Sequence, residues 1–196
     1  MGFIPKFNEL MHSVDAERRT LGQCRPEWQQ FMEYAAGYFK NRGLEHPVVV
    51  EIGICADAQK RFYREIMGAE HIGIDVDRRT NPNILGDSLK VETIEKLKER
   101  LDGRAIDLLF LDGNHTYDYV KFEYENYGPM TQHLIAFHDL VCMEEGIGVE
   151  VHRLWQEICA AEKAHCLLTF YRHNDSKTVW PGHEMGIGVI VKGSEG

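Results

Sequence analysis

The chain has 196 residues, of which 43% are hydrophobic and 27% are charged, and its formal net charge at pH 7 is −9. This length and composition are typical of one globular domain with a substantial core. The acidic balance argues against nucleic acid and anionic membranes as partners, because both bind to basic surfaces. No apolar run approaches the roughly 18 residues of a membrane-spanning helix, so the sequence predicts neither a nucleic-acid-binding nor a membrane protein.

The five cysteines are odd in number and include no C-x-x-C pair. This pattern does not fit a disulfide scaffold, in which cysteines are even in number and regularly spaced. It is typical of reduced thiols in the cytosol. We therefore expect a cytoplasmic protein.

Residues 1–45 are predicted to be mainly helical. Pro26 suits the first turn of a helix, aromatic and other apolar residues follow it at three- and four-residue spacing, and Gly43 suits the helix end. We expect this segment to form an N-terminal helical cap. Its aromatic side chains are expected mainly to pack inside the protein, although exposed ones would suit the contact of a homodimer.

Residues 46–196 are predicted to form the main unit, in which short strands alternate with helices. Apolar runs rich in β-branched residues, ending in polar residues, are typical of strands buried on both faces of a parallel sheet. The predicted strands are 48–54, 71–75, 83–87, 106–111, 134–137, 166–171 and 187–191. The predicted helices are 59–67, 91–101, 116–127 and 149–162.

The order of these elements predicts the topology of the sheet. The first five strands are separated mainly by helices, which indicates parallel pairing through right-handed crossovers. No helical pattern separates the last two strands, and this predicts one antiparallel strand. The fold class is therefore α/β, a Rossmann-like, doubly wound, seven-stranded and mostly parallel sheet.

Chemically active side chains follow two neighbouring strands of this sheet. Asp112 comes directly after the fourth strand, with His115 three residues later, and His138 and Asp139 follow the fifth strand. In open α/β sheets, ligands bind in the crevice beyond the carboxyl ends of the strands. We therefore expect these four side chains to share one crevice.

Five short motifs occur in a characteristic order along the chain. They are Glu51-Ile52-Gly53, Asp75 at the end of the second strand, Gly86-Asp87-Ser88, the segment from Asp112 to Tyr117, and His138-Asp139. In order and spacing they resemble class I S-adenosylmethionine-dependent methyltransferases, over roughly residues 45–192. More narrowly, they resemble the metal-dependent macrocin/mycinamicin-type O-methyltransferase and cephalosporin-hydroxylase-like family.

The resemblance implies that S-adenosylmethionine is the cofactor. A glycine at position 53 would let the backbone pass close to a ligand, and Asp75 would accept hydrogen bonds from the ribose hydroxyls. Asp87 and Ser88 would either meet the adenine edge or cap the following helix. The residues implied to bind the cofactor are Glu51, Gly53, Asp75, Asp87, Ser88 and Asp112.

The resemblance also implies a divalent metal, Mg²⁺ or Mn²⁺, at the strand tips. Asp112, His138 and Asp139 would hold the metal, and the histidine would shift its preference from Mg²⁺ towards Mn²⁺, Fe²⁺ or Zn²⁺. Asp112 and His115 are the implied catalytic residues, with His115 as the general base. The expected reaction is methylation of a hydroxyl group on a small molecule of the sugar or natural-product type.

One position departs from the pattern of the family. Asp57-Ala58 stands where the family usually has two glycines beneath the methionine part of the cofactor. Two other interpretations therefore stay open. One is a non-catalytic Rossmann module that binds a nucleotide or S-adenosylmethionine. The other is a metal enzyme of a different class that uses the cluster Asp112, His115, His138 and Asp139.

Overall fold

The computed structural model describes residues 2–17, 21–140, 148–161, 166–170 and 185–193. The helices are α1 (Phe3–Ala16), α2 (Arg25–Asn41), α3 (Gln59–Met67), α4 (Val91–Leu101), α5 (Tyr117–Tyr127) and α6 (Val151–Ala161). The strands are β1 (Val48–Ile52), β2 (Glu70–Asp75), β3 (Ile84–Leu85), β4 (Ile106–Leu111), β5 (Thr131–His138), β6 (Cys166–Phe170) and β7 (Ile187–Val191).

The seven strands form one sheet in the order β3-β2-β1-β4-β5-β7-β6. Strands β1 to β5 pair in parallel, whereas β7 is antiparallel to both β5 and β6. The prediction of a mostly parallel sheet with one antiparallel strand is confirmed. In this register the carboxyl ends of β1, β2, β4 and β5 meet at one edge, because Ile52 pairs with Ile74 and Leu111 pairs with both Ile52 and Phe137.

Helices α1, α2 and α3 cover one face of the sheet. Trp28 is fully buried and its ring meets the Phe110 ring of β4 edge-on, with 5.7 Å between the centroids. Phe31 and Phe39 of α2 are buried as well. The segment predicted as a cap therefore forms a layer of the main core. Phe3 and Tyr34 are half-buried, and the homodimer stays a prediction.

Helices α4, α5 and α6 cover the opposite face. Their buried residues recur at helical spacing, as Ile94, Leu97 and Leu101 do in α4, and they pack on side chains such as Val50 and Leu109 of the central strands. Removing these apolar surfaces from water supplies the main driving force for folding. The doubly wound arrangement that the sequence predicted is confirmed.

The boundaries differ from the predicted ones at a few points. β1 ends at Ile52, because the backbone turns at Gly53 with φ +83°. β5 begins at Thr131, three residues before the predicted start. The predicted connection over residues 172–184 lies outside the described residues. Within the described ranges, no helix is both long enough and apolar enough to cross a membrane.

Candidate functional site

A cavity of about 520 Å³ opens at the carboxyl edge of the sheet. It lies between the tips of β1, β2 and β4 and the start of α5. Five of the six residues predicted to bind the cofactor line it, and they are Gly53, Asp75, Asp87, Ser88 and Asp112. The sixth, Glu51, does not. The lining also includes Cys55, Asn114, Tyr119 and Glu123, which the sequence analysis did not single out.

The structure gives Gly53 a reason to be glycine in addition to the predicted approach of a ligand. A Cβ atom at this position would overlap the Asp112 carbonyl oxygen and lie 2.5 Å from the Gly113 Cα atom. The positive φ of +83° adds a second barrier to any other residue. The glycine therefore allows the tips of β1 and β4 to approach each other, and this approach shapes the floor of the cavity.

Asp75 ends β2 and projects its carboxylate towards the cavity. The backbone N–H of Ile54 donates to Oδ2 at 3.0 Å, and that of Asp77 donates to Oδ1 at 2.8 Å. Each carboxylate oxygen has two lone pairs, so each can still accept a hydrogen bond from a ligand. Two backbone donors thus fix Asp75 in a position suited to paired hydroxyl groups.

Asp87 and Ser88 line the cavity as well. The Asp87 carboxylate accepts a hydrogen bond from the Leu89 N–H at 3.0 Å, and the Ser88 hydroxyl donates to Glu123 at 2.6 Å. The N-cap residue of α4 is Lys90, which makes no side-chain capping bond. The alternative in which Asp87 or Ser88 caps this helix is therefore not observed.

Glu123 is the main residue of the cavity that the sequence analysis missed. It lies on α5 with Val120 and Tyr127, at the spacing of a buried helical face, and is 1% exposed. Burial raises the pKa of its carboxyl group to about 7, although the Ser88 hydrogen bond opposes this. The sequence signal that could have identified Glu123 is an acid on an otherwise apolar helical face. Acids are rarely buried without a function or a partner.

Glu51 lies below the cavity, inside the sheet. Its carboxylate accepts hydrogen bonds from the Tyr63 hydroxyl at 3.2 Å and from His71 Nε2 at 2.8 Å, and it is fully buried. Tyr63 also stacks on the His71 ring, with 5.3 Å between centroids. The carboxylate of Glu51 is therefore engaged by β2 and α3 rather than available at the cavity surface.

Asp112, His115 and His138 form a cluster on the other side of the β4 tip. One potential ligand atom from each of the three residues lies within 4.8 Å of the other two. His138 Nδ1 is 2.7 Å and His115 Nε2 is 3.3 Å from the same atom, Asp112 Oδ1. The structure thus brings together the residues that the sequence placed at two neighbouring strand tips.

Asp139 and Gln23 complete the surroundings of this cluster. Asp139 has a φ of +57°, and its Oδ2 lies 3.3 Å from His115 Nδ1 while its Oδ1 lies 3.6 Å from His138 Nδ1. The Gln23 amide, which precedes α2, donates to Asp112 Oδ2 at 2.7 Å. The sequence analysis missed Gln23, because nothing in its local sequence links it to a strand tip.

The atoms of the cluster suit a divalent cation. The 2.7 Å contact between His138 and Asp112 does not have the directions of a hydrogen bond, and both ring nitrogens of His138 are buried without a hydrogen-bond partner among the described residues. A metal site requires ligand lone pairs that point to one shared position rather than to one another. Imidazole nitrogen and carboxylate oxygen are ligands for Mn²⁺, Fe²⁺ and Zn²⁺.

The charges of the cluster support one another. Burial alone would raise the pKa of Asp112, but His138 and His115 hold it below the usual value. Burial alone would lower the pKa of His138, but the Asp112 carboxylate outweighs this and raises it to about 9. Both directions describe an anionic carboxylate beside a cationic imidazole, a place where a bound cation would replace the imidazole proton.

In the segment where the family usually has glycines, Cys55 lines the cavity but Asp57 does not. Cys55 and Asp57 adopt positive φ angles of 44° and 55°, the backbone region that glycine would favour. Asp57 pairs with Lys60 at 3.0 Å and does not line the cavity. The acid at position 57 is thus neutralised by its own helix and leaves the cavity free of its charge.

No protein-family model matches the chain. It is 31% identical over 101 residues to the uncharacterized protein y4gI of Sinorhizobium fredii (strain NBRC 101917 / NGR234), a match that covers 50% of the chain. The chain spans about a tenth (10%) of the length of this curated relative.

Solved structures of O-methyltransferases match most of the chain. An O-methyltransferase from Bacillus cereus in complex with SAH has a TM-score of 0.60 at 14% identity, covering 95% of this chain and 90% of that one. TomG from Streptomyces achromogenes, in complex with SAM, has a TM-score of 0.59 at 12% identity and covers 95% and 89%. The MycE methyltransferase of the mycinamycin pathway, with Mg and SAH, has a TM-score of 0.54 at 14% identity and covers 82% and 49%. The chain has the Rossmann-like fold of class I O-methyltransferases.

Proposed function

We propose that the protein is an S-adenosylmethionine-dependent, divalent-metal-assisted O-methyltransferase that acts on a hydroxyl group of a small molecule. One observation carries the proposal: Asp112 belongs both to the lining of the cavity and to the cluster with His115 and His138. A nucleoside site and a cation site therefore share one carboxylate. Methyl transfer from a sulfonium to an oxygen needs the two reactants held side by side.

The cavity residues would bind and orient the methyl donor. Asp75 would accept hydrogen bonds from the ribose hydroxyls, since both its oxygens are already fixed by backbone donors. Asp87 and Ser88 would lie along the base. The turn at Gly53 brings the tips of β1 and β4 together at the cavity floor, which would direct the sulfonium end of the donor towards Asp112.

The cluster residues would handle the acceptor. Asp112, His138 and Asp139 would hold the cation, which supplies Lewis acidity that lowers the pKa of a nearby hydroxyl group. His115, whose ring nitrogens face Asp112 Oδ1 and Asp139 Oδ2 at 3.3 Å each, would take the proton of the acceptor. The methyl group then passes from sulfur to the acceptor oxygen, and the electron pair of the broken bond stays on sulfur.

Calorimetric titration of S-adenosylhomocysteine, with and without Mg²⁺ or Mn²⁺, tests the first half of the proposal. We expect micromolar binding that Asp75→Asn weakens at least about tenfold, because two ribose hydrogen bonds would lose their charged acceptor. Asp77→Asn is the matched control, since Asp77 is two residues away and pairs with Arg79 instead. Absence of binding under every metal condition would overturn the proposal.

Transfer of a labelled methyl group to a panel of sugars and polyhydroxylated aromatic compounds tests the second half. We expect transfer that requires Mg²⁺ or Mn²⁺ and is lost in Asp112→Asn. Binding of S-adenosylhomocysteine without transfer to any hydroxyl compound, and without any effect of metal, would favour a non-catalytic binding module.

The geometry of the cluster favours a second candidate function. Asp112, His115 and His138 together are two histidines and one carboxylate, a ligand set typical of non-haem Fe²⁺ enzymes. The variant His115→Ala separates the two candidates. In the methyltransferase it removes a base and leaves metal affinity within about threefold of the unmodified protein. In an Fe²⁺ enzyme it removes a ligand, weakens metal binding more than about tenfold and abolishes the d–d or charge-transfer bands of the loaded site.

A further inference from the structure

Glu123 lines the cavity beside the tip of β4. Its neighbours there are Asp87 and Ser88, and its Oε1 atom lies 3.4 Å from where a Gly113 Cβ atom would be. The glycine at position 113 thus leaves room between the carboxyl group and the tip of β4. Glu123 is 1% exposed and reaches the site from α5, the helix that follows this strand tip.

The hydrogen bonding of Glu123 leaves one oxygen for a ligand. Ser88 Oγ donates to Oε1 at 2.6 Å. Among the described residues, no group donates a hydrogen bond to Oε2. Ser88 is itself held in place, because the Tyr127 hydroxyl donates to its backbone carbonyl at 2.8 Å. An ionised carboxylate is acceptor-only. This part of the cavity therefore presents hydrogen-bond acceptors, on Glu123 and on Asp87. They suit a ligand group that donates hydrogen bonds.

We propose that Glu123 selects the purine base of the methyl donor, by accepting a hydrogen bond from the exocyclic 6-amino group of adenine and rejecting 6-oxo purines. This inference rests on the proposed function, since it concerns the base of that same donor. Adenine donates through its 6-amino group, whereas hypoxanthine has only an acceptor oxygen at that position. A 6-oxo base would place its lone pairs against those of the carboxylate.

Burial supports this role. It raises the pKa of Glu123 to about 7, and the nearby charges of Asp87 and Asp112 act in the same direction, whereas Ser88 and His115 oppose it. A ligand amino group favours the ionised acceptor, so adenine binding would release a proton near neutral pH. Ionisation of Glu123 and binding of adenine would therefore favour each other.

The test compares S-adenosylhomocysteine with S-inosylhomocysteine, its 6-oxo analogue, by calorimetry at pH 8. We expect the unmodified protein to prefer the adenosine compound by about tenfold or more. In Glu123→Gln the amide oxygen accepts from Ser88 and the amide N–H₂ faces the base. This exchange of acceptor for donor should reduce the preference at least about tenfold or reverse it.

Two further variants keep the test interpretable. Glu125→Gln removes an exposed carboxylate from the same helix and should leave the preference unchanged. Ser88→Ala removes the hydroxyl that orients Oε1 and should reduce the preference by a smaller factor than Glu123→Gln.

Each outcome has one meaning. A Glu123→Gln protein that folds, as judged by its thermal unfolding, and keeps the original ratio of the two affinities overturns the inference. Equal weakening of both compounds would also overturn it, because it would indicate a structural role. If the unmodified protein binds neither compound, the proposed function fails as well.

Discussion

Two buried acid–histidine pairs in this protein have similar distances but different surroundings. Glu51 and His71 lie 2.8 Å apart inside the sheet, and Asp112 and His138 lie 2.7 Å apart at its edge. The first pair forms a hydrogen bond and receives a second donor, the Tyr63 hydroxyl. The second pair does not have hydrogen-bond directions, and both His138 nitrogens are without hydrogen-bond partners among the described residues.

The difference shows how position in the sheet decides the role of an acid–histidine pair. Glu51 is the penultimate residue of β1 and His71 is the second residue of β2, where neighbouring strands and α3 enclose both side chains. Asp112 and His138 come at the carboxyl ends of their strands, where the sheet stops and a ligand can enter. The Glu51 carboxylate has two protein donors and joins β1 to β2 and α3, and of the His71 ring only Nδ1 has no hydrogen-bond partner among the described residues. Both ring nitrogens of His138 have none, which leaves this pair available for binding.

Glu51→Ala should have the largest effect on stability. It removes the acceptor of both His71 and Tyr63, and it leaves two buried polar groups without a partner. We expect the free energy of unfolding to fall by about 3–5 kcal/mol, as for other broken buried pairs. Urea denaturation measures this, with the exposed Glu125→Ala as control. A loss below about 1 kcal/mol would contradict the structural role of the pair.

Glu123 is a third buried acid, and among the described residues no hydrogen bond or ion pair joins it to a histidine. Its folded pKa of about 7 is above the usual 4.5, so its stabilising contribution is complete below pH 4.5 and is lost as the pH rises through about 7. At 1.36 kcal/mol for each pH unit in this interval, the loss is about 3 kcal/mol.

The unfolding free energy of the unmodified protein should therefore fall, relative to Glu123→Gln, between pH 4.5 and 7.5. The charges that face this carboxyl group, on Asp87, Asp112 and His115, are present in both proteins, so the difference reports how Glu123 ionises in their field. Parallel urea titrations at five pH values give the curve. A difference that does not change with pH would show that Glu123 ionises like an exposed acid.

Asp112→Asn should act on binding rather than mainly on folding. It removes the only charged oxygens that the β4 tip contributes to the cluster, while the amide oxygen can still accept from Gln23. We expect the Mn²⁺ affinity, followed by electron paramagnetic resonance, to fall more than about 100-fold. This exceeds the usual effect of changing a residue that only hydrogen-bonds to a metal ligand. Glu51→Gln is the reciprocal control. If it weakens Mn²⁺ binding as much as Asp112→Asn does, the two pairs do not have separate functions.

The fold could be predicted from the sequence because it depends on repeated local patterns. Seven apolar runs and their helical partners were identified, and the lack of a helical sequence pattern between the last two runs predicted the antiparallel strand. The predicted strand boundaries were less accurate where a backbone turn ends the strand. β1 ends before Gly53, and within the predicted strand from Asn83 to Asp87 only Ile84–Leu85 is a strand. Such turns depend on how two strand tips approach each other, which a single sequence does not specify.

The site was predictable to the extent that its residues follow strands directly. Asp75, Asp112, His115 and His138 lie where strand-tip reasoning placed them. Glu51 was assigned to the cofactor because it belongs to the E-x-G motif, yet alternation along β1 turns its side chain into the core. Glu123 and Gln23 reach the site from helical segments, and only tertiary packing brings them there.

Gln23→Ala should have the smallest effect, and it tests whether the N-terminal segment contributes to the site. The Gln23 amide fixes Asp112 Oδ2 at 2.7 Å, as outer hydrogen bonds commonly fix metal ligands. Without it the carboxylate can rotate, and we expect Mn²⁺ affinity to fall about tenfold, or about 1.4 kcal/mol, with little change in unfolding. Gln30→Ala, an exposed glutamine on α2, is the control. Gln23 lies between α1 and α2, so such a loss would mean that this part of the chain positions a metal ligand as well as covering the sheet. An unchanged Mn²⁺ affinity would mean that it only covers the sheet.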